Sequence, residues 1–206
     1  MIDLSVVPEG RPLRLIIGAG DQRWDGWLPT NREQLDLLDR DGWEGAFRHR
    51  RADAFLCEHV WEHLSEAEGR AAARLCFDFL KPGGFLRCAV PDGNFPDQDY
   101  QNTISVGGPG PADHPAAGHK IVYDYRLFAD VFADAGFEVD LLEYCDEHGR
   151  FHYNEWSLLS GPIYRSLLMD HRNRDQRLGF VSLIIDARKP GEGKLATGDS
   201  RPLGAT

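Results

Sequence analysis

Three short segments of the sequence hold most of the side chains that could do chemistry. Gly18-Ala19-Gly20 follows the apolar run at 11–17 (RPLRLII), EHVWEH at 58–63 follows ADAFLC, and Pro91-Asp92 follows FLRCAV. Each segment comes directly after a run that reads as a buried strand. Glycines without a Cβ let the backbone turn sharply and approach a ligand closely. The first segment therefore predicts a tight turn at a ligand site.

The EHVWEH segment has two interpretations. His59-x-x-Glu62-His63 matches the H-x-x-E-H pattern, in which two histidines on one helix share a zinc ion and the glutamate is the general base. That pattern needs a continuous helix, whereas here a strand-like run ends at Cys57 and a new helix cap stands at Ser65. A strand-to-helix turn is therefore favoured. We expect no metal site, and a zinc hydrolase stays open as the alternative.

The surrounding elements predict an α/β fold. Strands are expected at 11–17, 52–57, 85–90, 137–144 and 180–187, and weaker ones at 26–28 and 35–38. One helix is expected after Ser65, with Glu68 completing a capping box, and another after Asp124. Alternation of strands and helices is typical of a largely parallel sheet. Ligands of such sheets bind beyond the carboxyl ends of the strands, where all three segments lie.

Length and spacing predict one domain over 1–190. Residues 93–122 are rich in glycine and proline and are expected to form a loop over the substrate. Residues 145–178 are expected to be an irregular insertion, and the polar tail at 191–206 is expected to be disordered.

Composition narrows the classes of partner. The 206 residues include 23 Lys plus Arg and 33 Asp plus Glu, a net charge of −10. Such a chain is a poor non-specific binder of nucleic acid or of a membrane surface. The N-terminus lacks a signal-peptide pattern, no apolar run is long enough to span a membrane, and the four cysteines form no C-x-x-C pair. A cytoplasmic protein is expected.

The order of five segments resembles a known family. IIGAGDQRWDGW, ADAFLCEHVWEHL, FLKPGGFLRCAVPD, GHKIVYDY and AGFEVDLLEY together resemble class I S-adenosylmethionine-dependent methyltransferases, and are especially similar to small bacterial predicted methyltransferases. The resemblance covers about residues 12–187. It implies a Rossmann-like, seven-stranded, mostly parallel sheet with the last strand antiparallel. It also implies S-adenosylmethionine as the cofactor.

The resemblance further implies a set of cofactor-binding residues, which are Gly18, Ala19, Gly20, Trp27, Asn31, Asp36, Leu37 and Glu58. The sequence departs from the family pattern at Asn31, where the family has an acidic residue that accepts both ribose hydroxyls. Asn offers only one acceptor oxygen. It departs again in the first crossover, because Asp21–Asp25 are too few for the usual helix.

On the substrate side, the resemblance implies nothing firm about the methyl acceptor, and we expect methyl transfer to an unidentified small molecule. Direct displacement at a sulfonium needs alignment and a water-poor site, and a base helps only when the acceptor carries a proton. His59 and His119 are the candidate catalytic residues, and Asp92, Tyr123 and Arg165 are the candidate substrate contacts. A non-catalytic methyltransferase-like module is the other alternative that the sequence leaves open.

Overall fold

The computed structural model describes residues 2–174 and 178–191, and its centre is a single sheet of seven strands. The predicted disordered tail lies outside the described residues from position 192 onward. The strands are β1 (Arg14–Ile17), β2 (Leu28–Thr30), β3 (Ala52–Glu58), β4 (Leu80–Pro91), β5 (Glu138–Cys145), β6 (Phe151–Tyr153) and β7 (Ser182–Arg188).

The strand order is β2-β1-β3-β4-β7-β5-β6. β1 pairs in parallel with β2 and β3, and β3 pairs in parallel with β4. β7 lies antiparallel between β4 and β5, and β6 forms an antiparallel edge on β5. Five strands therefore point one way, and β6 and β7 point the other way. This confirms the expected Rossmann-like, mostly parallel sheet with a reversed last strand.

The seventh strand does not come from the expected segment. Residues 35–38 form a turn rather than a strand, with Leu35 and Leu37 buried in the core. The alternation of Leu35 and Leu37 with other residues has the period of a strand, although no strand forms there. In the structure, the Nε1 of Trp43 donates to the carbonyl of Asp36 (2.8 Å), so this backbone is joined to the next helix instead of a sheet. The short strand β6 supplies the missing seventh strand.

The described residues form four α-helices: α1 (Arg40–Phe47), α2 (Glu66–Phe79), α3 (Gln98–Ile104) and α4 (Tyr125–Ala133). The predicted capping box of α2 is formed, because Ser65 Oγ accepts from Glu68 N while a Glu68 carboxylate oxygen accepts from Ser65 N. Asp124 caps α4 as expected. The sequence did not indicate α1, or α3 within residues 93–122. None of the described helices is long and apolar enough to cross a membrane.

Both faces of the sheet are buried, as expected for parallel strands. Alternate residues of a strand point to opposite faces. Leu15 and Phe55 accordingly join the larger cluster with α1, α2 and α4, whereas Ile16 and Leu56 join a smaller cluster with Trp27. Residues 18–27 contain no helix, so the first crossover is short, as the sequence predicted. Loop segments cover the second face in its place.

Candidate functional site

A cavity of about 890 Å³ opens at the carboxyl ends of β1, β3 and β4. Its size falls in the range of small-molecule sites. The chain leaves β1 toward β2 on one side and returns to β3 on the other, so β1 and β3 flank the topological switch point of the sheet. Ligands of open α/β sheets bind at this position.

The glycine turn after β1 forms one wall of the cavity. Gly18 and Gly20 both have positive φ (65° and 51°), a conformation that costs other residues energy. A Cβ at Gly18 would overlap Cγ2 of Val60, whereas one at Gly20 would have no protein atom within 4 Å. The amide of Ala19 donates to the carbonyl of Thr30 (2.8 Å). Gly18 is therefore required by packing, and Gly20 leaves open space at the wall.

The carboxylate of Glu58, at the end of β3, holds in place a loop segment that lines the cavity. Its two oxygens accept from Gln22 Nε2 (2.8 Å), the amides of Tyr164 (2.9 Å) and Arg165 (3.0 Å), and Arg165 Nη1 (3.1 Å). Glu58 is only 5% exposed. Its charge is therefore balanced within the chain, by Arg165.

Arg87 holds the preceding part of the same loop segment. Its guanidinium forms a two-bond ion pair with Asp186 (2.7 and 3.0 Å), and both side chains are 2% exposed. The same guanidinium donates to the carbonyls of Ser157 (2.9 Å) and Gly161 (2.6 Å). The buried pair therefore fixes the loop that leads to Tyr164.

His59 follows β3 in a left-handed conformation (φ 55°), which aims its ring into the cavity wall. Its Nε2 lies 3.0 Å from Ser182 Oγ, and its Nδ1 lies 3.2 Å from Oε1 of Glu62. Residues Trp61–His63 then form a single 3₁₀ turn before the cap of α2. The continuous helix that the H-x-x-E-H pattern needs is not formed by His59 and His63, in agreement with the expected strand-to-helix turn.

A different group of side chains meets beside this turn. Glu62, His63 and His119 each present a ligand atom, and these atoms lie within 4.8 Å of one another. Glu62 is 2% exposed, and neither of its carboxylate oxygens has a hydrogen-bond partner among the described residues. The contact with His59 is close but lacks the geometry of a hydrogen bond. His119 is 8% exposed, and its Nδ1 lies 2.9 Å from the carbonyl of Ile104.

The structure brings about half of the predicted site residues together around the cavity: Gly18, Ala19, Gly20, Glu58, His59, His119 and Arg165. Trp27 and Leu37 lie in the hydrophobic core. Asn31 lies beside the glycine turn, where its Oδ1 accepts from Gly20 N (2.8 Å). Asp36 pairs with Arg32 (2.9 Å) outside the cavity.

The two remaining candidates lie beneath the cavity. Asp92 is fully buried and accepts from the amides of Asn94 (2.8 Å) and Cys145 (2.6 Å). Burial raises the pKa of Asp92 to about 6. Tyr123 is also fully buried and pairs with Asp92 through an isolated β-bridge. Neither Asp92 nor Tyr123 lines the cavity, whereas Pro91 does. The carboxylate of Asp92 joins the ends of β4 and β5, and the ring of Tyr123 packs against Phe128 in the core.

Gln22 is a cavity residue that the sequence did not indicate. Its Nε2 binds Glu58, and its Oε1 is buried without a partner among the described residues. Its position two residues after the glycine turn was the available signal. His63 was expected to pack locally, and no spacing pattern connected it with His119, which is 56 positions later in the chain.

The comparisons with known proteins show a similarity in fold only. Neither a family model nor a curated protein matches the chain. A methyltransferase structure from Archaeoglobus fulgidus, described as dependent on S-adenosylmethionine, is 15% identical, covering 90% of this chain and 89% of that one with a TM-score of 0.49. One from Methanosarcina mazei is 14% identical, covering 93% and 100% with a TM-score of 0.48.

The topology itself decides the fold. The parallel strands around the β1–β3 switch point, followed by a reversed β7 between β4 and β5, are the arrangement that the resemblance implied. The chain has a class I methyltransferase-like fold. A fold hosts many reactions, so the reaction has to be argued from the site.

Proposed function

We propose that this chain transfers a methyl group from S-adenosylmethionine to a small-molecule acceptor. The observation that carries the proposal is the Gly18–Gly20 turn, which forms a wall of the cavity at the topological switch point. The open space at Gly20 suits a ligand that approaches the backbone closely.

The residues present fit the cofactor at the glycine turn but not at the expected ribose contacts. Asn31 uses its only acceptor oxygen on Gly20 N, and Asp36 lies outside the cavity. We assign the missing polar contact to Gln22, whose Oε1 is buried, unpartnered among the described residues and located at the cavity wall. A buried acceptor without a donor is unfavourable, and a ligand hydroxyl would satisfy it.

The cofactor, when bound, supplies an electrophilic methyl group on a sulfonium. The chain's own contribution is to align the acceptor and to exclude water. We assign the exclusion of water to the segment held by Glu58, because its residues Tyr164 and Arg165 line the cavity. Where the acceptor carries a proton, we assign its removal to His59, because its ring lines the cavity and is oriented by Ser182 Oγ, 3.0 Å from its Nε2.

A small acceptor is favoured over a macromolecule. The net charge of −10 opposes nucleic-acid binding. In the cavity the arginines are paired within the chain, Arg165 with Glu58 and Arg172 with Asp170 (2.9 and 2.6 Å). All four cysteines are buried free thiols, which supports a reducing, cytoplasmic location.

Calorimetric titration of S-adenosylhomocysteine into the full chain tests the proposal. We expect one site per chain with micromolar affinity. Gly20→Asn keeps the left-handed backbone accessible but adds a side chain at the cavity wall, and should weaken binding at least about tenfold.

Gly26→Asn is the matched control. Gly26 also has a positive φ (78°) and open space for a Cβ, but it does not line the cavity. Its binding should equal that of the unmodified chain. Absence of binding by the folded, unmodified chain would reject the proposal and favour a non-catalytic module.

A further inference from the structure

We propose that Glu62, His63 and His119 bind a divalent transition-metal ion at the edge of the cavity. The proposal does not depend on methyl transfer. It rests on three ligands brought together from two distant parts of the chain, on the buried carboxylate of Glu62, which lacks a hydrogen-bond donor among the described residues, and on the fixed orientation of His119.

The geometry is close to that of a metal site. The three ligand atoms lie within 4.8 Å of one another. Ligands of a tetrahedral zinc ion are about 3.3 Å apart, given bond lengths of about 2.0–2.1 Å. Small side-chain rotations would bring the carboxylate and the two imidazoles to that distance. All three residues line the same cavity, so an ion has a route of entry.

Glu62 supplies the second, independent observation. Its carboxylate is 2% exposed and has no hydrogen-bond donor among the described residues. A buried carboxylate without a partner is strongly unfavourable unless a cation or a donor compensates it. The guanidinium of Arg165 is occupied by Glu58, and Lys120 directs its Nζ to Glu68 (2.9 Å). His59 Nδ1 lies 3.2 Å from Glu62 Oε1, but it forms no hydrogen bond there and carries a charge only when the imidazole is protonated. A bound cation would supply the missing compensation.

The ring of His119 is oriented by a hydrogen bond from one of its nitrogens to a backbone carbonyl, as is common for metal-binding histidines. Its Nδ1–H donates to the carbonyl of Ile104, which leaves Nε2 as the free ligand atom. Its backbone carbonyl accepts from the amide of Gly107 (2.9 Å). The amide of Lys120 donates to the carbonyl of Glu62 (2.8 Å), which joins the two ligand-bearing segments. The site is therefore organised by the fold and does not need the ion to assemble it.

The ligand set indicates the class of metal. Two imidazoles and one carboxylate suit zinc and other first-row transition ions, whereas Mg²⁺ and Ca²⁺ prefer oxygen ligands. Three protein ligands leave at least one coordination position for water or for an oxygen donor on a small molecule. This assigns His119 to metal binding instead of proton transfer.

The test uses the full chain, stripped with a chelator and free of cofactor. Calorimetry with Zn²⁺ should show one ion per chain, Co²⁺ should give visible ligand-field absorption, and Mg²⁺ should not bind. His63→Ala and His119→Ala should each weaken Zn²⁺ binding at least about 100-fold. His171→Ala is the matched control, because His171 lines the same cavity outside the cluster, and it should bind normally.

Two further variants separate metal binding from folding. Glu62→Gln removes the buried charge, so the metal-free variant should be at least as stable as the parent but should lose the thermal stabilisation by Zn²⁺. Gly118→Ala places a Cβ 2.8 Å from His63 Nδ1 and should weaken binding about tenfold by displacing that ring. Absence of stoichiometric Zn²⁺ binding, or equal binding by the His63 and His119 variants, would overturn the proposal.

Discussion

The requirement for glycine at position 18 can be tested quantitatively against position 20. Both residues have positive φ, so replacement by alanine costs roughly 1–2 kcal/mol at either position. Only at Gly18 would the new Cβ also overlap Val60, which adds about 1–3 kcal/mol of overpacking. Gly18→Ala should therefore lower the free energy of unfolding by about 1–3 kcal/mol more than Gly20→Ala.

Urea unfolding followed by tryptophan fluorescence measures both values. The overlap also predicts a coupling. In a double-mutant cycle, Val60→Ala should recover about 1–2 kcal/mol of the loss in Gly18→Ala, because it removes the methyl group that the new Cβ would meet. Equal losses at Gly18 and Gly20, or additive effects of Gly18→Ala and Val60→Ala within about 0.5 kcal/mol, would refute the reasoning.

Three other changes should affect stability. Burial raises the pKa of Asp92 to about 6. It does the same for Glu143, a buried residue of β5 whose carboxylate accepts from the amide of Leu167 (2.8 Å). The stabilising protonated form of each group is therefore lost as the pH rises. The free energy of unfolding should fall by about 1 kcal/mol per group between about pH 5 and about pH 7, and a flat profile in urea titrations would contradict this. Arg87→Met should cost about 3–5 kcal/mol in the same assay, because it leaves the buried charge of Asp186 without its main partner. Near-neutral stability would contradict this and show that Arg188, whose Nη2 also donates to Asp186 (2.8 Å), compensates the charge alone. Ser65→Ala should lower the thermal midpoint, because it removes about 1 kcal/mol of helix capping. An unchanged midpoint would show that the capping box does not stabilise the fold.

Local signals predicted the parts of the fold that local chemistry determines. The Ser65–Glu68 capping box, the cap at Asp124 and the long apolar runs of β3 and β4 all lie where the sequence indicated. Residues 35–38 were interpreted wrongly, because period-two alternation of leucines also occurs in a turn whose side chains reach the core. Helix α1 is short and carries two internal glycines, so its pattern is weak.

The candidate site was predicted most directly where it lies at strand ends. Gly18, Glu58 and His59 follow buried strands, and the rule for parallel sheets places such residues at one edge. Asn31 and Asp36 were chosen from the resemblance, and the short first crossover and the missing strand at 35–38 change their surroundings. The meeting of Glu62 with His119 depends on long-range pairing of two loops, which spacing in the sequence does not encode.

A crystal structure of the full chain grown with S-adenosylhomocysteine tests the central claim most directly. We expect S-adenosylhomocysteine in the cavity beyond β1 and β3, against the Gly18–Gly20 backbone and within hydrogen-bond distance of Gln22. Density for the ligand at any other place, or an empty cavity at a concentration that saturates binding in solution, would contradict the account.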